Sequence, residues 1–129
     1  MTTRYAARVF GTAAIFNVLV GAGILLAPAL GLPVMGVAPP ENPIFLRLAA
    51  GLIVLLGIGY YLTARNPGRN RDLMLLGGLG KLFVLPLMLS AWRQGQVGFP
   101  AVLGGAGDLV FALLFFDIMR RMRGVAGGA

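Results

Sequence analysis

Cysteine and histidine are both absent from this sequence of 129 residues. Without their side chains the protein has no disulfide, no thiolate nucleophile, no imidazole base, no zinc site of the usual ligand types and no haem ligated by His or Cys. We therefore predict no metal site and no cofactor. Any acid–base chemistry falls to Asp, Glu, Lys, Tyr or Arg.

Charged residues are also scarce, at 12% of the chain, and only four of them are acidic against eleven basic ones. Soluble domains carry about a quarter charged residues, which form their polar surface. Here 58% of the residues are apolar, and the basic residues stand in short clusters between long apolar runs. This pattern is typical of membrane topology and not of nucleic-acid binding, so we expect a lipid bilayer, and no nucleic acid, as the partner.

Four apolar stretches dominate the sequence, each about as long as the roughly 20 residues that a helix needs to cross a bilayer. They cover residues 9–30, 44–64, 73–92 and 97–118. Lipid forces backbone groups to pair within each segment, which favours helices. The sequence predicts an all-α fold: a single membrane domain over 1–129 that is a four-helix transmembrane bundle with up-down-up-down topology. Its outer connection is 31–43 and its inner, basic turn is 65–72.

The arginines indicate the orientation of this bundle, because positive charge accumulates on the cytoplasmic side. Arg93 lies in the connection between the third and fourth spans. Eight other arginines share the opposite side of a four-span arrangement: Arg4, Arg8, Arg65, Arg69, Arg71, Arg120, Arg121 and Arg123. We therefore predict a multi-pass protein of the cytoplasmic (inner) membrane with both termini in the cytoplasm.

The start of the chain has an alternative interpretation as a cleaved secretion signal. Two early arginines, an apolar run and the sequence Ala27-Pro28-Ala29 resemble one. The apolar run is longer than the 7–15 residues of a signal core, which favours a first span that is retained.

Two charged residues, Lys81 and Asp108, lie near the middle of the third and fourth spans. A charge at that depth costs about 2.5–3.5 kcal/mol on insertion scales. Both residues lie about 16 Å below the same surface at 1.5 Å per residue, which makes a buried ion pair the natural hypothesis. Small residues one turn away, Gly77, Gly104 and Gly105, favour close approach of the two helices.

Two interpretations of this pair remain open. It is either a structural staple that fixes the register of two helices or a proton-coupled or substrate-facing site. Because side chains lean toward their own helix N-terminus, Lys81 leans inward and Asp108 outward, so a water or ligand between them is an alternative to direct contact. Asn17 lies at similar depth, where its amide either donates to Asp108, holds a water or makes an ordinary interhelical hydrogen bond.

Arg47 and Glu41 lie near the outer end of the second span. A rim salt bridge or simple snorkelling of Arg47 is one interpretation, and a polar gate to a pocket that leads to Asp108 is the other. Tyr60, Tyr61 and Trp92 are expected to be interface anchors. Six residues of the second span share the face expected to line the interior: Arg47, Ala50, Gly51, Val54, Ile58 and Tyr61.

Several short motifs resemble those of small four-helix bacterial membrane proteins of the DoxX-like type. They are Gly21-Ala22-Gly23 through Pro28 and Pro33, Phe45-Leu46-Arg47-Leu48-Ala49-Ala50-Gly51 followed by Gly57 and Tyr60, Gly80-Lys81, and Gly107-Asp108-Leu109. The resemblance covers most of the chain and implies a four-helix architecture. Some members of that group look like quinone-linked oxidoreductase accessory subunits, and the resemblance implies no catalytic residue.

Three hypotheses for function follow, in this order. The first is binding or transport of a small solute or lipophile at Lys81 and Asp108, within a homo-oligomer, because four helices scarcely enclose a pathway. The second is an accessory subunit, with a redox link as one possibility, of a larger membrane complex. The third is a membrane enzyme that acts on a lipophilic substrate with Asp108 as acid or base.

Overall fold

The computed structural model of the protein describes residues 2–127. Within this range the chain is helical and forms no strand. Four of the helices are long and apolar enough to cross a membrane, which confirms the prediction of an all-α four-helix membrane bundle. The helices are α1 (Thr2–Leu26), α2 (Pro28–Val34), α3 (Ile44–Arg65), α4 (Arg71–Arg93) and α5 (Phe99–Gly127), with a 3₁₀ turn at Pro67–Arg69 between α3 and α4.

The first long helix ends earlier than the predicted span 9–30. Helix α1 stops at Leu26, and Ala27 adopts non-helical backbone angles of φ −138° and ψ 59° before α2 begins at Pro28. A residue that precedes proline is driven out of the helical region by the proline ring. The short helix α2 therefore occupies the end of the predicted span and the start of the predicted outer connection.

The outer connection contacts the residues just before α5 at Met35 and Gly36. The Gly98 N–H donates to the Met35 carbonyl at 2.8 Å. Gly36 has a φ of +66°, and a Cβ at this position would lie 2.5 Å from the Gly98 nitrogen. Only glycine fits both this left-handed backbone and this close approach. The connection is thus attached to the bundle at Met35 and Gly36.

Neighbouring helices run antiparallel and approach most closely at glycines. A Cβ on Gly21 of α1 would lie 2.7 Å from the Ala50 carbonyl oxygen of α3, and one on Gly57 of α3 would meet Val18 of α1. A Cβ on Gly105 of α5 would lie 2.9 Å from the Leu85 Cα of α4. Small residues let two helix backbones approach in this way, and close packing is what drives association of helices in lipid.

The core is concentrated in the half of the bundle that holds the start of α1 and the end of α5. Phe10 of α1 stacks on Phe115 of α5 with ring centroids 4.2 Å apart, and both rings contact Tyr60 of α3. The buried residues around them are Ala6, Ala13, Ala14, Met74 and Ile118. Large side chains such as Leu26 and Phe45 are exposed on the outside of the bundle, where lipid is the expected solvent.

Candidate functional site

Lys81 of α4 and Asp108 of α5 form an ion pair inside the bundle. The Lys81 Nζ lies 2.6 Å from the Asp108 Oδ1, and the side chains are only 6% and 15% exposed. The contact is direct, without a water or ligand between the two groups. Lys81 and Asp108 lean in opposite directions along the bundle, yet they can make contact because the lysine stem is long and flexible. Gly105 also allows α5 to approach α4 closely.

Asn17 of α1 is the second partner of the lysine. Its Oδ1 accepts a hydrogen bond from the Lys81 Nζ at 2.9 Å, and its Nδ2 donates to the Ile53 carbonyl of α3 at 3.2 Å. Of the three alternatives for Asn17, the structure shows the interhelical hydrogen bond and not donation to Asp108. The amide oxygen faces the Lys81 ammonium, which is a charged donor. A polar chain of Ile53, Asn17, Lys81 and Asp108 links all four long helices at one level.

Three aromatic rings enclose the ammonium of Lys81. The Nζ lies 5.4 Å from the ring centroids of Phe16 and Tyr60 and 5.3 Å from that of Phe111. A cation within about 6 Å of a ring centroid is attracted by the negative face of the ring, more strongly when water is excluded. The rings supply part of the solvation that the ammonium gives up on burial.

Tyr60 is not the interface anchor that the sequence suggested. It is 2% exposed, whereas its neighbour Tyr61 is 54% exposed. The buried face of α3 consists of Ala50, Gly57, Tyr60 and Thr63. Arg47, Ile58 and Tyr61 lie on exposed parts of the helix, so the predicted inward face is wrong at these positions. Residues that face lipid and residues that face the core are equally apolar, so the pattern of hydrophobicity does not distinguish these two faces of a helix.

Arg47 and Glu41 are both exposed and do not form a rim salt bridge, whereas snorkelling of Arg47 stays a prediction. Among the described residues, the ion pairs are that of Lys81 with Asp108 and those of Asp117 with Arg120 and Arg121. No hydrogen bond between residues 2 and 127 joins either Arg47 or Glu41 to the buried pair.

One oxygen of Asp108 remains available to a ligand. Its Oδ1 accepts from Lys81, and its Oδ2 accepts no hydrogen bond from the described residues. No side-chain nitrogen or oxygen in that part of the chain is both fully buried and unpartnered, so the Oδ2 retains some accessible surface. Gly104 and Gly107 of the same helix leave open space at their own positions, since a Cβ on either would meet nothing within 4 Å.

The arrangement places a carboxylate oxygen next to an ammonium that makes two of its three possible hydrogen bonds. The Asp108 Oδ2 accepts no hydrogen bond from the described residues, whereas the Lys81 Nζ donates to both Asp108 and Asn17. Between residues 2 and 127, no three His, Cys, Asp or Glu side chains lie close enough to hold a metal ion together. The site is a charged pair with one amide partner in an apolar surrounding.

A leucine-lined groove lies between α3 and α4, next to this site. Its volume is about 300 Å³, and it is lined by Leu52, Leu55, Leu56, Gly59, Tyr60, Leu73 and Leu76. Tyr60 forms one wall of the groove, and its ring also contacts the Lys81 ammonium. The groove and the charged pair are thus separated by a single side chain.

No protein-family model, no curated protein and no solved structure matches this chain. The resemblance to DoxX-like proteins therefore stays a prediction.

Proposed function

We propose that this small integral membrane protein binds, and in an oligomer transports, a small solute or lipophile through the Lys81 and Asp108 site. The observation that carries the proposal is the Asp108 carboxylate: it is paired on one oxygen and open on the other, in the middle of apolar helices. Ionisable groups at such depth are expensive and usually mark a functional site. The expected ligand donates one hydrogen bond to the Asp108 Oδ2.

The apolar part of the ligand would lie along the surface of α5 that Gly104 and Gly107 leave open. A helix side chain covers the turn N-terminal to its own Cα, so the Asp108 carboxylate lies toward Gly104. An amphiphile with a hydrogen-bond donor at one end and an apolar body fits this arrangement of a carboxylate and an open helix surface. Transport also requires a pathway across the membrane. Four helices scarcely enclose one, so transport requires a homo-oligomer.

The orientation that goes with this proposal has both termini in the cytoplasm. The start of α1 and the end of α5 lie together, because the Tyr5 hydroxyl donates to Asp117 at 3.2 Å. The turn between α3 and α4 carries Arg69 and contacts α1 near the same end. Positive residues therefore concentrate at one end of the bundle, which is the end expected to face the cytoplasm.

The test is to ask what co-purifies with the protein from its native membrane. Protein extracted in mild detergent is treated with organic solvent, and the extract is analysed by mass spectrometry. The wild type should carry a lipophile at near-stoichiometric amount, and Asp108→Asn should lose most of it. Asp72→Asn, which neutralises an exposed carboxylate of α4, is the matched control and should retain it.

Equal retention by the Asp108→Asn and wild-type proteins would reject the site. A bound lipophile that depends on Asp108 then becomes the substrate for a counterflow measurement in proteoliposomes, which separates transport from binding. Conversion of that lipophile by purified protein, without an ion gradient, would point instead to an enzyme with Asp108 as acid or base.

A second candidate function is that of an accessory subunit in a larger membrane complex. The observation that favours it is a set of glycines whose missing Cβ atoms would meet nothing within 4 Å: Gly11, Gly23, Gly51 and Gly80. Such positions let another helix approach closely. Mass measurement after mild extraction separates the candidates, because a stable homo-oligomer without other proteins contradicts the accessory role.

A further inference from the structure

A second cavity, of about 1090 Å³, lies at the arginine-rich end of the bundle, between the start of α1 and the end of α5. It is lined by Thr3, Arg4, Tyr5, Ala7, Arg8, Val9 and Arg121. Three of these residues are arginines and two are apolar. The cavity is on the same helix as Asn17 but nearer its start, so it is distinct from the Lys81 and Asp108 site.

Arg121 is held in place at the wall of this cavity. Its Nε donates to the Asp117 Oδ2 at 2.9 Å, and its guanidinium lies over the Tyr5 ring, 5.6 Å from the centroid. The Tyr5 hydroxyl donates to the same oxygen at 3.2 Å. The Nε bond leaves the terminal nitrogens of this guanidinium available to a ligand, and a fixed guanidinium loses little entropy when it binds one.

Arg4 and Arg8 stand one helical turn apart on α1 and are both exposed. Neither forms an ion pair within residues 2–127, and the Asp117 carboxylate is already shared by Arg120, Arg121 and Tyr5. Like charges one turn apart repel each other in the absence of an anion between them. Among the described residues that line it, the cavity therefore combines Arg4 and Arg8, which have no acidic partner there, with Arg121, which is paired with Asp117.

We infer that this cavity binds the phosphate of an anionic phospholipid from the leaflet that faces the arginine-rich end. Guanidinium groups match phosphate oxygens in geometry and charge. Basic pockets between membrane helices at the cytoplasmic side are suited to such head groups. The apolar wall of Ala7 and Val9 continues from the arginines along α1, where an acyl chain would pass. A free phosphate would use the same cations but not this apolar wall.

The experiment compares lipid binding by two double variants of equal charge. Arg4→Gln with Arg8→Gln changes the cavity. Arg69→Gln with Arg71→Gln removes the same charge from the end of the turn between α3 and α4 and from the first residue of α4, and is called the turn variant. Binding of phosphatidylglycerol and of phosphatidylcholine with identical acyl chains is titrated by native mass spectrometry in detergent. Circular dichroism and gel filtration establish that each variant is folded.

We expect the wild type to prefer phosphatidylglycerol, and the cavity variant to bind it about 30-fold more weakly, since each arginine near a membrane surface contributes about 1 kcal/mol. The turn variant should stay within about twofold of the wild type. Inorganic phosphate and glycerol 3-phosphate at millimolar concentration should not displace the lipid. Equal weakening in both variants, or displacement by either free anion, overturns the inference. Because Asp108 is unchanged throughout, this result is independent of the proposed lipophile site.

Discussion

The ring of Tyr60 fills the space that a side chain on Gly77 would need. A Cβ on Gly77 would lie 2.5 Å from Cε1 of Tyr60 and 2.9 Å from its hydroxyl oxygen. The Lys81 ammonium also lies beside the Tyr60 ring, with its Nζ 5.4 Å from the ring centroid. Tyr60 thus joins α3 to α4 and at the same time forms part of the enclosure of the buried charge.

The Gly77→Ala variant should therefore lose about 1–3 kcal/mol of stability, because the added methyl group displaces a buried ring. The matched control is Gly80→Ala on the same helix, where a Cβ would meet nothing within 4 Å and stability should change by less than about 0.5 kcal/mol. Unfolding of both variants in detergent, followed by circular dichroism, measures the difference. Similar stability of the two variants would contradict the packing of Tyr60 on Gly77.

The buried ion pair should show strong coupling between its partners. Lys81→Met or Asp108→Leu alone leaves one uncompensated charge inside the bundle and should destabilise the protein by about 3–5 kcal/mol. The double variant leaves neither charge and should recover most of that loss, because replacement of a buried pair by apolar residues is often neutral. A double-mutant cycle on the free energy of unfolding measures the coupling. Additive effects of the two substitutions would show that the ammonium and the carboxylate do not interact.

The same cycle separates the structural and functional interpretations of the pair. A double variant that is stable but carries no lipophile assigns the pair to ligand binding. A double variant that is stable and still retains the lipophile assigns it to the register of α4 and α5. Stability and ligand content are measured on the same purified samples.

Much of this site could be predicted from the sequence because charge in lipid is so unusual. Lys81 and Asp108 stand out in apolar spans, and equal depth on two neighbouring helices follows from the rise of 1.5 Å per residue. The same argument placed Asn17 at their level. Its partner was not predictable, because an amide has both donors and an acceptor and only the packing selects which one faces the ammonium.

The aromatic enclosure of Lys81 could not be predicted in the same way. In a soluble helix the apolar stripe identifies the buried face, but a membrane helix is apolar on all sides. The pattern therefore did not choose between Tyr60 and Tyr61 for the interior. One signal was present: Ala50, Gly57 and Tyr60 are spaced by seven and three residues, and small residues mark close helix approach. The early end of α1 likewise followed from Pro28, whose effect on Ala27 is local.

The adjacent glycines of α5 provide a test of how the ion pair is brought together. Gly105→Ala would place a Cβ 2.9 Å from the Leu85 Cα, so α5 must move away from α4. We expect a loss of about 1–3 kcal/mol, as for other overpacked positions, and a weaker coupling between Lys81 and Asp108 in the double-mutant cycle. Gly104→Ala, whose Cβ would meet nothing within 4 Å, should leave both quantities unchanged. Equal coupling in the two glycine variants would mean that the lysine stem alone closes the distance.

The absence of cysteine makes the orientation of the bundle directly measurable, because a single introduced cysteine is the only thiol in the chain. Asn42→Cys lies in the outer connection and Gly68→Cys in the turn between α3 and α4, and both positions are exposed. A membrane-impermeant maleimide added to intact cells should label Asn42→Cys at once. Gly68→Cys should react only after the membrane is made permeable, because the arginine-rich end is expected inside.

The reverse labelling pattern would place the termini outside and move the anionic-lipid cavity to the outer leaflet. Labelling of both positions from the same side would be a stronger contradiction. Helix α3 separates these two positions, so it would then fail to cross the bilayer, and Lys81 and Asp108 would lose the apolar surroundings on which the proposed site depends.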